Sequence, residues 1–416
     1  MFRFYLSLTV KNLWRRKRRT LLTAAAIAFG IMYFAVFDSM LTGLDQDAIA
    51  NMIDFETGHV QAIALSGHAP GSAGSTVDDS KALAEAAAKL PGVEGATLRR
   101  SFPGSVAAGA DELPLTVVAV DPLTDGQVFR TPEFVAAGGW LDVSQRGGAV
   151  LGARVAELLE VSVGDVVSIR TAAAGPGLMM QSVDVTVVGT VNTPHPEVNQ
   201  SQVFVPLELA WQELNPRDED IFVTVRARSG SRQSADALAG AIRGLPEWNG
   251  TWRIQPWHEA TSFLAIGASK RSFALALLGL VLIIATIGVV NSILLSTLER
   301  IREIGILKAM GMKERQIVTL FVLEGGGLGL IGGLLGVVMS VAANTYLVNV
   351  GISLRAIMGD MDIDIGYPVA DAMRGVWNWP TMLAAAVFGL VVSLVASYIP
   401  ARRAAGLDAV KGLRQL

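Results

Sequence analysis

Four apolar stretches punctuate the chain, each long enough to cross a bilayer: Leu21–Phe37 with its flanks, Phe273–Leu298, Ile317–Val350 and Thr381–Ile399. A helix needs ~20 such residues to span about 30 Å of hydrocarbon. Expected helices therefore occupy 21–44, 272–298, 316–350 and 380–400. The polar region 45–271 separates the first two, a short loop at 351–379 joins the last two, and 299–315 links the second to the third. The pattern predicts an α-helical membrane protein with four transmembrane helices and a large α+β domain inserted between helices 1 and 2. Trp377 and Trp379 stand just ahead of the last span, where amphipathic rings suit an interface.

Inside the insert the periodicity changes. Asp79–Leu90 reads as an alanine-rich helix halted by Pro91-Gly92, and Ser234–Leu245 as another. Leu113–Asp121 is a continuous apolar run that suits a buried strand, while Val166–Arg170 and Val183–Val191 alternate like half-buried ones. Gly148–Leu159 predicts a strand and a short helix; Val203–Pro206, Ile221–Arg228 and Thr251–Gln255 predict further strands. Leu90-Pro-Gly-Val-Glu-Gly95 and Leu245-Pro-Glu-Trp-Asn-Gly250 end their helices alike. They read either as a duplicated helix–strand unit in a split α/β layer or as a common helix exit. Between the paired strands, Thr171–Ser182 is long for a hairpin loop. Its Pro176, Leu178, Met179 and Met180 would form an adaptable apolar tip for a partner or lipid, unless they fold back on the domain.

Charge orients the spans. Charged residues are 17% of the chain and the net charge is −3, which leaves no footprint for nucleic acid. The basic residues cluster at Lys11–Arg19, Arg300–Arg315, and Arg402, Arg403, Lys411 and Arg414. Short loops rich in lysine and arginine stay cytoplasmic, and four crossings place all three on one side. Segments 1–20, 299–315 and 401–416, with both termini, are thus expected to be cytoplasmic. The insert and the loop carrying Asp360, Asp362 and Asp364 lie outside. Val36-Phe37-Asp38-Ser39-Met40 offers no small-x-small cleavage site, so the first span reads as an uncleaved anchor.

Gly325, Gly329 and Gly333 recur every four residues, as do Gly332 and Gly336; small residues at that spacing let membrane helices approach closely. Gly327-x-Gly329-x-x-Gly332 matches a dinucleotide fingerprint by letters only, because it lies inside a span. Glu324 is an ionisable group in a span and hence a functional candidate, although a partner such as Arg315 would give it structural or coupling duty. Asp38 is expected to reach interfacial water. The chain has no cysteine, its four histidines are scattered, and neither His195-Pro-Glu197 nor His258-Glu259 completes a zinc motif. No metal site, catalytic constellation or resident cofactor is expected. A Gly-x-x-x-x-Gly-Lys-Ser/Thr loop is also missing, so ATP and Mg would be bound by a partner subunit.

The link 299–315 is the most informative segment. Ile301, Ile304, Leu307 and Lys308 fall at helical spacing, and Gly305 and Gly311 allow close approach and termination. A short amphipathic helix here would present Arg302, Glu303 and Lys308 to a groove on another protein, or lie on anionic lipid. Its sequence, Arg302-Glu303-Ile-Gly305-Ile-Leu-Lys308-Ala-Met-Gly311, resembles the cytoplasmic loop of MacB/FtsX-type ABC transporter permeases. So do Asn12-Leu-Trp-Arg-Arg-Lys-Arg-Arg-Thr20, Ala149–Gly152 through Gly164-Asp165, Gln255-Pro-Trp257-His-Glu259 and Tyr398-Ile-Pro400-Ala-Arg402-Arg403. The tail Asp408-Ala-Val-Lys411 departs from the family, whose members have a proline and an acidic residue there. The resemblance implies a non-catalytic permease in a bacterial inner membrane, docked through a coupling helix on an ABC ATPase dimer and paired with a second permease chain. It also implies mechanotransmission to the outer side. The layout is nearest the lipoprotein-releasing permeases, whose paired strands carry a hook for a periplasmic chaperone. Release of a lipoprotein or lipid substrate is therefore expected. Efflux through an adaptor and channel, or signalling to a cell-wall hydrolase, is the alternative.

Overall fold

A computed structural model of the chain describes residues 2–15, 17–64, 77–174, 179–216, 220–248, 250, 252–260, 272–277, nine positions from 279 to 295, 301–353 and 372–406. It divides into a helical unit (Met1–Asp45, Gly267–Ile357, Ala372–Leu416) and an α/β unit (Gln46–Ile266, Met358–Asp371).

Two helices open the chain, α1 (Phe2–Arg15) and α2 (Lys17–Met52). The α/β unit follows. Its strands are β1 (Val60–Ala64), β2 (Val93–Ala108), β3 (Asp111–Val120), β4 (Val135–Gly138), β5 (Gly148–Gly152), β6 (Val166–Ala172), β7 (Met180–Val191), β8 (Gln202–Pro206), β9 (Asp220–Ala227) and β10 (Trp252–Pro256). Helices α3 (Val77–Ala88) and α4 (Arg232–Arg243) lie between β1 and β2 and between β9 and β10. Back in the helical unit come α5 (Ile301–Ala309), α6 (Glu314–Asn349) and α7 (Trp379–Ala405). Among the described residues three helices are long and apolar enough to span a membrane: Thr20–Thr57, Glu314–Asn349 and Trp379–Ala405. The predicted second span, 272–298, is described at fifteen positions between 272 and 295, each of them helical; its other positions lie outside the described residues.

The strands form one sheet in the order β10-β1-β9-β2-β3-β8-β5-β7-β4, with β6 pairing β2 and β7. At one end, β1-α3-β2 and β9-α4-β10 interleave as β10-β1-β9-β2, every neighbouring pair antiparallel. This is a split β-α-β layer, and the two like-ending helices are its crossovers. At the other end, β2-β3-β8-β5-β7-β6 closes on itself through the β6–β2 pairing. A closed ring leaves fewer open edges.

Strand period explains why β3, β5 and β8 read as unbroken apolar runs. Successive side chains face opposite ways, and here both faces are buried. Val117, Ala119, Ala149, Leu151, Val203 and Val205 join the main core. Their neighbours Val118, Val120, Val150 and Phe204 join a second core with Phe55, Leu141, Val191 and Val198.

Candidate functional site

Helix α5 is built to be held from one side. Ile304 and Gly305 are buried, and Ile304 packs with Ile317 and Phe321 of α6 and Ala401, Ala404 and Ala405 of α7. Its end is set by Gly311 at φ +92°. The N–H of Gly311 donates to Lys308 O (2.9 Å) and that of Met312 to Leu307 O (3.1 Å), the Schellman pattern with its accompanying Leu307–Met312 apolar pair. The N–H of Lys313 then donates to Gln316 Oε1 at 2.9 Å, opening α6. The outward face carries Glu303, Ile306 and Met310, Met310 being 69% exposed. Lys308 differs from expectation. One turn after Ile304, it falls on the inward side, where Nζ lies 3.0 Å from Glu314 Oε1. Arg302 lies on α5, its side chain outside the described residues.

The glycines of α6 serve three neighbours. A Cβ on Gly325 or Gly329 would strike Ser397 or Ser393 of α7, and Gly333 lies against Ala386 of α7. Gly332 and Gly336 face Ile27 and Ile31 of α2, about 100° round the helix, and Gly327 meets Leu13 of α1. Glu324 is half-buried and engaged by other groups.

At the far end of these helices sits a polar clasp. Ser39 Oγ lies 2.5 Å from Asn344 Oδ1 and 2.8 Å from Val376 O, and it accepts the Val376 N–H at 3.0 Å. Asn378 Nδ2 donates to Asp38 Oδ2 at 2.7 Å. Asp38 is 4% exposed, so it does not reach interfacial water as expected; the amide of Asn378 takes that place.

In the α/β unit, the connection between β6 and β7 is shorter than the alternation suggested. The ladder runs on to Ala172↔Met180, and Ala173 N–H donates to Met179 O at 2.8 Å. Met180 is therefore the first residue of β7. Met179 and Met180 are exposed; Pro176 and Leu178 lie outside the described residues.

A charged collar surrounds the π-helical turn Ile53–Thr57, with which α2 continues into the domain. Arg99 on β2 gives Nε and Nη2 to the two oxygens of Asp125 (2.6 and 2.9 Å) and Nη1 to Phe55 O (3.2 Å). Its guanidinium stacks 3.3 Å from the Phe129 ring centroid. Arg226 on β9 donates to Val128 O (2.7 Å) and Asp54 Oδ1 (3.0 Å), and Arg130 to Glu133 Oε2 (2.7 Å) and Asp54 Oδ2 (3.5 Å). That pairing raises the Arg130 pKa and lowers that of Glu133. His59, whose Nδ1 accepts the Ala227 N–H, is pushed below 6.5 by burial and then by Arg226. No group of three potential metal ligands occurs among the described residues.

Residues 20–245 match the MacB-like periplasmic core domain family, and 275–409 match the FtsX-like permease C-terminal family. The chain belongs to the MacB/FtsX-type ABC transporter permeases. The permease is 24% identical to the macrolide export ATP-binding/permease protein MacB of Agrobacterium fabrum, over 96% of this chain and 59% of that one. It is 26% identical to the pyoverdine export protein PvdT of Pseudomonas fluorescens, over 96% and 58%. An uncharacterized ABC transporter permease of Methanocaldococcus jannaschii is 24% identical over 67% and 65%. The permease thus spans about three-fifths of the length of these relatives. Similar solved structures include the extracellular domain of the YknZ transporter (TM-score 0.32, 14% identity, 47% of this chain and 99% of that one) and the periplasmic region of Actinobacillus actinomycetemcomitans MacB (0.33, 14%, 50% and 94%).

Sequence reasoning found α5 in the permease and, of its outward face, Glu303, but missed Ile306 and Met310, which read as ordinary apolar helix positions. The collar gave no signal at all. Its members are spread from Asp54 to Arg226, and nothing local marks them as neighbours.

Proposed function

We propose that the permease couples ATP hydrolysis, performed by a nucleotide-binding domain outside these 416 residues, to work on the outer side of a bacterial inner membrane. Both termini and α5 face the cytoplasm in this reading. A second permease chain and an ATPase dimer complete the machine. The observation that carries it is the geometry of α5. One side is fixed by Ile304 against α6 and α7, with Gly305 buried beside it, and the other offers Glu303, Ile306 and Met310. A helix anchored this way can receive a push and pass it to the spans behind it. The chain itself acts as a mechanotransmitter and performs no catalysis.

Export of an amphipathic or apolar compound with an adaptor and channel is the favoured work. Relatives named for macrolide and pyoverdine export align along nearly the whole chain, and the β6–β7 connection is too short to resemble an extended hook. Lipoprotein release is the second reading, supported by the exposed Met179 and Met180. Co-purification tests the coupling. Glu303→Lys or Met310→Asp is expected to cut recovery of the nucleotide-binding partner at least roughly tenfold, the scale of one interface contact worth above 1 kcal/mol. Membrane insertion should be unchanged, and full recovery with both variants would refute docking through α5.

A further inference from the structure

The last turns of α7 carry a groove of about 500 Å³ lined by Tyr398, Ile399, Arg402, Arg403 and Gly406. Three features describe what fits it. First, depth: from Trp379 to Ile399 is twenty residues, or about 30 Å of helix, the thickness of the hydrocarbon layer. Trp377 and Trp379, stacked at 5.1 Å, mark one interface, so Arg402 and Arg403 reach the opposite headgroup layer. Second, charge: among the described residues no carboxylate engages either guanidinium. Third, shape: Leu383, Val387, Val391, Val395 and Ile399 are each at least half exposed and follow one another every four residues. They make a continuous apolar ridge along the helix that ends at Arg403.

We propose that this groove binds one anionic phospholipid, its phosphate held by Arg402 and Arg403 and an acyl chain laid along the Leu383–Ile399 ridge. Cations at a helix C-terminus also favour the helix dipole, which accounts for charge there but not for an apolar ridge leading into a groove. Arginine matches phosphate through its planar fork of donors. The role is separate from docking through α5, and its failure would leave that reading intact.

Native mass spectrometry of the full chain in a non-ionic detergent tests the site. Dioleoyl phosphatidylglycerol and dioleoyl phosphatidylcholine are offered together. The expected result is one phosphatidylglycerol retained per chain in preference to phosphatidylcholine. Retention should fall roughly fivefold for each of Arg402→Gln and Arg403→Gln, fall less for Arg403→Lys, and stay constant for Lys17→Gln. The unmodified chain should also retain dioleoyl over dihexanoyl phosphatidylglycerol, a comparison that needs no variant to fold. Equal retention of the two headgroups, or an unchanged preference in the double glutamine variant, overturns the proposal. Displacement by inorganic phosphate at equal concentration would reduce it to a free-anion site. Loss of a co-purifying protein from the variants, with lipid retention unaffected, would reassign the arginines to a protein contact.

Discussion

Arg99 carries its charge into the core of the α/β domain, where Asp125, the Phe55 carbonyl and the Phe129 ring surround it. Such a pair is costly to break from one side, because the remaining ion is left without its counter-charge. Asp125→Asn is expected to destabilise the fold by about 3–5 kcal/mol, read as a lowered melting temperature in detergent. Replacing Arg99 and Asp125 together by Met and Leu should recover most of that loss. A single variant that melts like the parent would show that the pair is dispensable. His59 gives the domain a pH dependence of known sign. Its pKa is lowered from 6.5 in the folded chain, so below that pH the unfolded chain binds a proton that the folded one refuses. Stability should therefore fall as pH drops through this range. His59→Asn keeps an acceptor for the Ala227 N–H and should flatten the dependence; an unchanged slope would place its origin elsewhere. Neither residue stood out beforehand. Nothing local marks Arg99, and its place on β2 between β3 and β9 makes it an interior residue.

Elements were legible wherever a local rule governs them. Gly311 was readable as a helix end because termination in this geometry needs positive φ. Strand β3 was readable because both of its faces are buried. Strand β1 was missed because five residues preceding a polar segment carry too little pattern, and β6 and β7 were underestimated because polar Thr171, Gln181 and Ser182 sit in the ladder. The four-residue glycine spacing on α6 marks close approach without naming the neighbour, and the structure supplies two on different faces. Gly329→Leu tests the α7 side. A side chain there meets Ser393 and the Leu390 backbone near 3 Å, and overpacking of this kind costs about 1–3 kcal/mol. A lower melting temperature is expected, whereas Gly240→Leu, with open space around it, should change little.

For the whole molecule, hydropathy gave a membrane protein with a large polar insert, and the resemblance of the 299–315 link gave the class of protein. The passenger followed from neither, because nothing in a span or a strand encodes it locally. Met179→Ser with Met180→Ser addresses that question. Capture of an outer partner is expected to weaken while association with the nucleotide-binding partner is preserved, both scored by co-purification; equal capture would discharge the loop from any binding role. The clasp between Asp38 and Asn378 has a bearing on biosynthesis. The two residues are 340 positions apart, and at ~5–20 residues per second the second is made tens of seconds after the first. Through that interval the carboxylate on α2 has no amide to meet, and water at the bilayer surface is the solvent available to it. The seal between α2, α6 and α7 closes only once Asn378 has been made, so a ribosome stalled before it would hold a chain whose α2 carboxylate is still wet.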